Sequence, residues 1–446
     1  MKLLLKLILV LVCFQANAQK NKLVTLKGHL KNFTNREWVR DFSEMVELRL
    51  PVPDREIKVD STGYFSMQFP LSVPNYFLIG RNLLYLSPGD NLTIEVDYLD
   101  FSKARFEGKG SKVNKYLVNV PWPKSASYLD GGRNLKNTLK KSIDTVLLLA
   151  NERTLKLSKV KGASKSFKKL EAARIRADII NTFRYLPGYF IAKYKIPQEK
   201  EDQIYKEFDA LVQSHLKKYT SDFIDSDFLK IEVYRKNVYG LHGIKTDSSI
   251  SAKKINDWIE ANRIYNALNS VVEKEKLISF KPLIAKISNE NYRFALDETY
   301  KLLSKFGKGD TAIDFNMFNL DGNNVYLSSF KGKTIIIDLW ATWCGPCLEE
   351  MPYFDLLKDK YKNNDQITFI SLCVNDEKSN WIKNVKSRNI NGIQLFAAKG
   401  ATSDYRIMNL PRTIIIDKDF KIAEMFGPRP SEKALDNYIS RLVHKE

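Results

Sequence analysis

The sequence predicts three structural classes in succession: an all-β, sandwich-like N-terminal domain, a helical middle region and an α/β C-terminal domain. Three patterns carry this reading. Short β-rich runs recur at roughly ten-residue intervals from Val24 to Phe106, with turn residues between several of them. From Pro121 to Lys305 the apolar spacing changes to three and four, the period of a helix. After Phe306 strands alternate with helices, and one apolar run, Ile335-Ile336-Ile337-Asp338-Leu339-Trp340, leads into Cys344-Gly345-Pro346-Cys347.

The chain has 446 residues, too many for one ordinary domain, and its 44% apolar and 28% charged residues suit a globular protein and not a disordered one. The expected segments are a signal peptide over 1–18, a β-rich domain over 19–120, a helical region over 121–305 and a redox domain over 306–446. The signal peptide rests on basic Met1-Lys2, an apolar stretch from Leu3 to Phe14 and a small-x-small site at Ala16-Asn17-Ala18. Cleavage before Gln19 would remove Cys13 and leave Cys344, Cys347 and Cys373. Three cysteines in a large exported chain are tools and not staples. Val12 is a poor residue to precede a lipidated cysteine, and no later stretch is apolar for the ~20 residues a membrane span needs. The expected location is the periplasm or cell envelope.

The formal charge of +19 is unevenly placed. Residues 306–446 hold 19 Lys+Arg against 18 Asp+Glu, whereas residues 121–305 hold 35 against 22. The basic excess therefore lies in the middle, away from the cysteines. Export and the lack of a nucleic-acid motif exclude nucleic acid as a partner. A solvated face of lysine-rich helices accounts for the charge, with anionic lipid or acidic partners as the alternative.

Taken in order, the β runs are Val24 to His29, Met45 to Leu50, Tyr64 to Phe69, Tyr76 to Leu78, Leu83 to Leu86 and Leu92 to Val96. Asp60-Ser61-Thr62-Gly63 and Ser87-Pro88-Gly89-Asp90 supply turns, and an antiparallel sandwich or barrel is expected. His29 stands without a second histidine and reads as structural. Leu135, Leu139, Ile143, Leu147 and Ala150 define a first helix between Gly132 and Gly162. Phe167 to Phe183 continue the pattern until Pro187-Gly188, where a stop is expected. Further stripes run from Ile204 to Leu216, with His215 as a member, and from Ile255 to Leu268. A last helix over Tyr292 to Phe306 is followed by Gly307-Lys308-Gly309-Asp310, which reads as a linker.

In the C-terminal domain the expected elements are a hairpin of Asp314 to Phe318 with Val325 to Leu327, a buried parallel strand Lys333 to Trp340, and a helix with Pro346 in its first turn. The strand Ile367 to Val374, a helix from Lys378 to Arg388, the strands Ile393 to Ala397, Thr413 to Asp417 and Lys421 to Phe426, and a helix from Ser431 follow. This puts the cysteines at the carboxyl end of a strand, where such sheets hold their sites. A C-x-x-C in this setting is a redox signature, because two thiols so spaced can close one S–S bond. At a helix start the thiolate of Cys344 gains from the free N–H groups and the dipole. A lone carboxylate in an apolar strand, Asp338, should have a raised pKa, unless it sits at a strand edge in solvent. Cys373, inside an apolar strand, reads as an inert buried thiol.

Trp343-Cys344-Gly345-Pro346-Cys347 matches the thioredoxin active site, and residues 306–446 resemble the exported TlpA/ResA-type thiol–disulfide oxidoreductases. Gly309-Asp310-Thr311-Ala312-Ile313-Asp314-Phe315, Leu327-Ser328-Ser329-Phe330-Lys331-Gly332-Lys333 and Trp340-Ala341-Thr342-Trp343 add to the likeness, with Ile313 standing where proline is usual. The front of the chain, through Asp60-Ser61-Thr62-Gly63-Tyr64-Phe65 and Pro88-Gly89-Asp90, resembles β-rich domains attached to such proteins in Bacteroidota. The resemblance implies a thioredoxin-like fold, attack by Cys344, resolution by Cys347 and a redox-active Cys344–Cys347 disulfide. It places Asp338 where thioredoxin keeps a buried aspartate and Glu350 where ResA-like proteins keep a glutamate, so two proton acceptors compete, with a surface position as the other reading of Glu350. Trp343, Gly345, Pro346 and a cis Pro411 are implied to meet the substrate.

The function this implies is an exported reductase of protein disulfides that uses no bound cofactor or metal and is fed by a membrane electron donor. Peroxiredoxins carry Thr or Ser three residues before the reactive cysteine and Pro seven before it; here those positions are Ala341 and Ile337, which argues against a peroxidase. Two readings from other classes are a C-x-x-C metal-binding module and a partner-binding scaffold that merely carries a redox domain.

Overall fold

A computed structural model describes residues 22–33, 36–48, 55–124, 127–241, 247–271, 274–398, 400–405, 407 and 409–443. The expected leader, with Cys13, lies outside the described residues. These fall into two compact units: residues up to Asn262 with Ile287–Ala295, and Arg263–Lys286 with the residues from Leu296 onward. Among the described residues no helix is long and apolar enough to cross a membrane.

In the first unit a four-stranded sheet is centred on Lys22–Lys31. That strand pairs antiparallel with Tyr64–Leu71 but parallel with Asn91–Asp97, so the expected purely antiparallel arrangement is corrected to a mixed one. Val24, Leu26 and Leu30 alternate with exposed or half-buried neighbours and pack on Phe65, Leu92, Ile94 and Phe106. Asp60 makes its turn by accepting hydrogen bonds from Thr62 N and Tyr64 N at 2.8 and 3.0 Å. The strand expected at Met45 is instead a 3-10 turn over Glu44–Leu48. His29 stacks on Tyr64 with ring centroids 4.3 Å apart, and His215 is half-buried against Phe183.

The helices of this unit include Ser111–Leu117, Leu139–Ser158, Lys165–Tyr194 and Gln198–Thr220. Thr138 caps the second by accepting a hydrogen bond from Lys141 N at 3.2 Å, which starts that helix after Leu135. The third runs unbroken through Pro187, against the expected stop. A helix-interior proline costs about 3 kcal/mol, while burying Leu186 and Phe190 on either side returns about 1.5–3 kcal/mol each. Tertiary packing therefore overrides the local breaker.

The second unit holds a seven-stranded sheet. Its elements are β1 (Asn316–Phe318), β2 (Asn324–Tyr326), β3 (Thr334–Trp340), α1 (Gly345–Tyr361), β4 (Ile367–Cys373), α2 (Lys378–Arg388), β5 (Ile393–Phe396), β6 (Arg412–Ile416), β7 (Ile422–Gly427) and α3 (Lys433–Val443). The strand order is β2-β1-β5-β4-β3-β6-β7, with β3, β4 and β5 parallel and the other pairs antiparallel. Every residue of β3 is buried, as a strand covered on both faces requires. Ile335, Ile337 and Leu339 face one core with Leu372 and Ile414. Ile336 faces the other, with Phe354 and Leu357 of α1 and Leu435 and Ile439 of α3.

The expected linker at Gly307 is instead stitched to the sheet. Gly309 N donates to Ile422 O and Ile422 N donates to Asp310 O, each at 2.8 Å. The Asp310 carboxylate accepts from Gly307 N at 2.9 Å and pairs with Lys274. Glycine and aspartate here serve a turn that lays the chain along β7 and not a free tether.

Candidate active site

The apolar run of β3 ends at Trp340, and the chain turns at once into α1. Ala341 O accepts a hydrogen bond from Cys344 N at 3.0 Å, which makes Cys344 the N-cap residue of α1. Its Sγ accepts from Cys347 N at 3.2 Å. Cys344 and Cys347 form a disulfide with Cα atoms 5.3 Å apart. Both side chains pack with Trp340, Ala341, Cys373, Trp381 and Phe396. Cys344 is 5% and Cys347 1% exposed, so the pair is asymmetric but even the outer residue shows only an edge. Gly345 and Pro346 are exposed beside it, with Pro346 in the first turn where its missing N–H costs nothing.

Trp343 is 64% exposed and donates from Nε1 to Asn375 O at 3.1 Å. Thr342 N donates to Asp376 Oδ2 at 2.6 Å. The β4–α2 loop thus holds the turn that precedes the cysteines from the side. The same Asp376 oxygen lies 3.8 Å from Cys373 Sγ. Cys373 is fully buried, and burial together with this carboxylate pushes its thiol well above the usual range.

Asp338 is the fifth of the seven residues of β3, a strand paired on both sides, and is 1% exposed, not at a strand edge. It shares a face with Ile336 and Trp340, two residues away on each side. Trp340 packs with the cysteines and Ile336 with the middle of α1, so Asp338 faces α1 between them. Burial pushes its carboxyl up to about 7; Lys358 opposes this, and the charges of Glu350 and Asp355 add to it. Lys358 is held by hydrogen bonds to Asp355 Oδ1 and Asn391 O at 2.8 and 2.9 Å.

Glu350, for which a surface position was the other expectation, is 8% exposed. Its two carboxylate oxygens accept from Ser431 N and Ser431 Oγ, both at 2.9 Å. The reason is its place on the inner side of α1, three residues after Cys347. The Leu410–Pro411 peptide is cis, Pro411 is half-buried, and Leu410 packs against the cluster that contains both cysteines. Pro411, Phe426, Gly427 and Arg429 line an opening of about 560 Å³. Ser431, Asp376, Lys358 and Pro352, which lies inside α1, escaped the sequence reading. Ser431 and Asp376 each precede a helix and carried the signal of ordinary caps. Among the described residues no group of three or more His, Cys, Asp and Glu is gathered as a metal site requires.

Comparison with known proteins bears on this arrangement. The Redoxin family model matches residues 307–439. The thiol-disulfide oxidoreductase ResA of one Bacillus cereus strain is 31% identical over 137 residues, which cover 30% of this chain and 78% of that protein. The chain belongs to the ResA family of thiol-disulfide oxidoreductases. ResA of a second Bacillus cereus strain is 29% identical over 38% of this chain and 99% of its own length. A crystal structure of a candidate thiol-disulfide oxidoreductase from Bacteroides vulgatus is 38% identical over 31% of this chain and 99% of that one, with a TM-score of 0.30. The ResA likeness is confined to the C-terminal part of the chain.

The buried Asp338 has a consequence for stability. Between about pH 4 and pH 7 its carboxyl is ionised in the unfolded chain and protonated in the fold, so folding takes up a proton. Its contribution is therefore present below the unfolded value and lost as pH rises toward 7, by roughly 4 kcal/mol in total, and is level above that. Denaturant midpoints at pH 5 and pH 8, followed through the reactivity of Cys373, should fall for the native sequence and stay nearly level for Asp338→Asn. Equal slopes for the two proteins would refute this role for the carboxyl.

Proposed function

We propose that the protein is an exported reductase of protein disulfides, acting in the periplasm or cell envelope and re-reduced by a membrane dithiol donor. The observation that carries this reading is the N-cap placement of Cys344, whose sulfur accepts the Cys347 N–H at the start of α1. The same geometry stabilises a thiolate on Cys344 once the disulfide is reduced. That thiolate attacks a substrate disulfide; a Cys344–substrate S–S bond forms and one substrate thiolate leaves. Cys347, its proton taken toward Asp338, then attacks Cys344 Sγ. The Cys344–Cys347 bond closes and the second substrate thiolate leaves, so two electrons pass from the dithiol to the substrate.

The two acidic candidates divide the work. Asp338, with a pKa near the working pH, is the proton acceptor. Glu350 has both oxygens committed to Ser431 and acts as a positioning residue that adds negative field beneath α1. Exposed Trp343, Gly345 and Pro346 with half-buried Pro411 form the surface on which a substrate segment lies, continuing into the opening bounded by Phe426 and Arg429. Export rests on the Met1–Ala18 sequence, and the reducing direction on the Gly345-Pro346 pair.

Equilibration of the whole protein with glutathione buffers should give a potential near about −270 mV; a value above about −180 mV would replace the reductase by an oxidase or isomerase. Cys347→Ser should accumulate mixed disulfides on Cys344 in cells, identifiable by mass spectrometry, and Cys344→Ser should not. Asp338→Asn should lower disulfide-reductase turnover by about 100-fold near pH 7 and remove the limb of the pH–rate profile near 7. If that limb persists in the variant, Asp338 is not the acceptor.

A further inference from the structure

The first unit contains a cavity of about 840 Å³, well within the range of small-molecule sites. Val120, Leu149 and Val160 give it an apolar wall. Five lysines stand around it: Lys112 and Lys115 from the helix Ser111–Leu117, Lys156 from Leu139–Ser158, and Lys159 and Lys161 just beyond. All five are exposed and, among the described residues, none is ion-paired. Of the two acids on the lining, Asp130 is already bound to Arg133 at 2.6 Å, which leaves Glu152 as the remaining counter-charge.

Helix electrostatics explains part of this cluster and not the rest. Lys156 and Lys159 sit at a helix C-terminus, where cations are favoured, but Lys112 lies in the first turn of its helix, where they are not. Two helices thus bring unpaired ammonium groups to one opening. At the floor, Arg153 pairs with Glu171 at 3.0 Å and Asp178 at 2.6 Å, donates from Nε to Tyr116 at 3.3 Å, and its charge also acts on the neighbouring Tyr128 hydroxyl. A guanidinium can only donate, so it supplies no acceptor for the Tyr128 O–H. Tyr128 is 6% exposed and lines the cavity, and its buried hydroxyl makes no hydrogen bond within the geometric limits among the described residues. A buried hydroxyl without an acceptor calls for one, and the cavity is where a ligand atom can supply it.

We propose that this cavity binds an organic anion with an apolar body. The body lies on Val120, Leu149 and Val160, the anionic head is met by the lysines, and an acceptor oxygen takes a hydrogen bond from the Tyr128 hydroxyl. The head is a carboxylate or phosphate, and the site is independent of the disulfide chemistry.

The test uses the full chain and anilinonaphthalene sulfonate, an aromatic anion whose fluorescence reports binding. One saturable site per chain is expected, displaced by decanoate or decyl phosphate, whose relative potency distinguishes the two heads. Decyltrimethylammonium, which shares the tail but not the charge, and inorganic phosphate, which lacks the body, should not displace it. Lys115→Glu with Lys156→Glu should weaken binding by about 10-fold or more, and Lys156→Gln and Tyr128→Phe by about 3-fold each. Circular dichroism and disulfide-reductase activity should be unchanged in all of them. The proposal fails if no saturable site is found, if decyltrimethylammonium or phosphate displaces the probe as well as the alkyl anions do, or if affinity survives the charge reversal.

Discussion

Seven consecutive buried residues in β3 leave that strand no solvent face, and Asp338 is the one carboxylate among them. Much of the redox unit follows from that constraint. Alternation sends Ile335, Ile337 and Leu339 into one core and Ile336 and Trp340 toward α1, so a helix must cover the second face. Where the apolar run stops, the chain turns, and the turn puts Cys344 at the free N–H groups of that helix. The carboxyl and the disulfide are therefore placed by the same strand and covered by the same helix. Because the cover is close, the carboxyl is desolvated and held toward its neutral form.

The periodic and local features of this arrangement were legible in the chain. The unbroken run Ile335 to Trp340 announces a doubly covered strand, Pro346 a first helical turn, and Cys344 with Cys347 a closable pair. What could not be read are contacts joining residues far apart in sequence. Glu350 meets Ser431 across 81 positions, and Thr342 meets Asp376 across 34. In the first unit Lys22–Lys31 finds a parallel partner in Asn91–Asp97, a pairing that no local turn encodes. Pro187 and Gly307 misled in the opposite way: each is a breaker in isolation, and each is overruled by what packs around it.

The first unit shows how its helices complete its strands. Tyr85 pairs with Tyr76 on one side, and on its outer edge Asn114 accepts from Tyr85 N and donates to Tyr85 O, so a helix side chain satisfies both backbone groups where the sheet ends. Tyr76 donates to Glu171, which also receives Arg153 and Arg174, while Asp178 takes the other arm of Arg153. Burying four charges is expensive, and such a cluster holds only while complete; losing one member would leave its partners uncompensated at about 3–5 kcal/mol. The network thus acts as a test of correct docking between sheet and helices, since an offset arrangement would strand a charge.

Cys373 has a bearing on how the protein can be handled. It sits in the same apolar cluster as the redox pair yet is fully enclosed, with an acidic oxygen beside it that disfavours its thiolate. Of the three cysteines among the described residues it is the one outside the disulfide, and a reagent meets it only when the fold opens. In a chain begun at Gln19, alkylation after unfolding therefore takes one equivalent, on Cys373, when the Cys344–Cys347 pair is oxidised and three when it is reduced. The molecule carries its own internal standard, against which redox occupancy can be titrated without removing any sulfur.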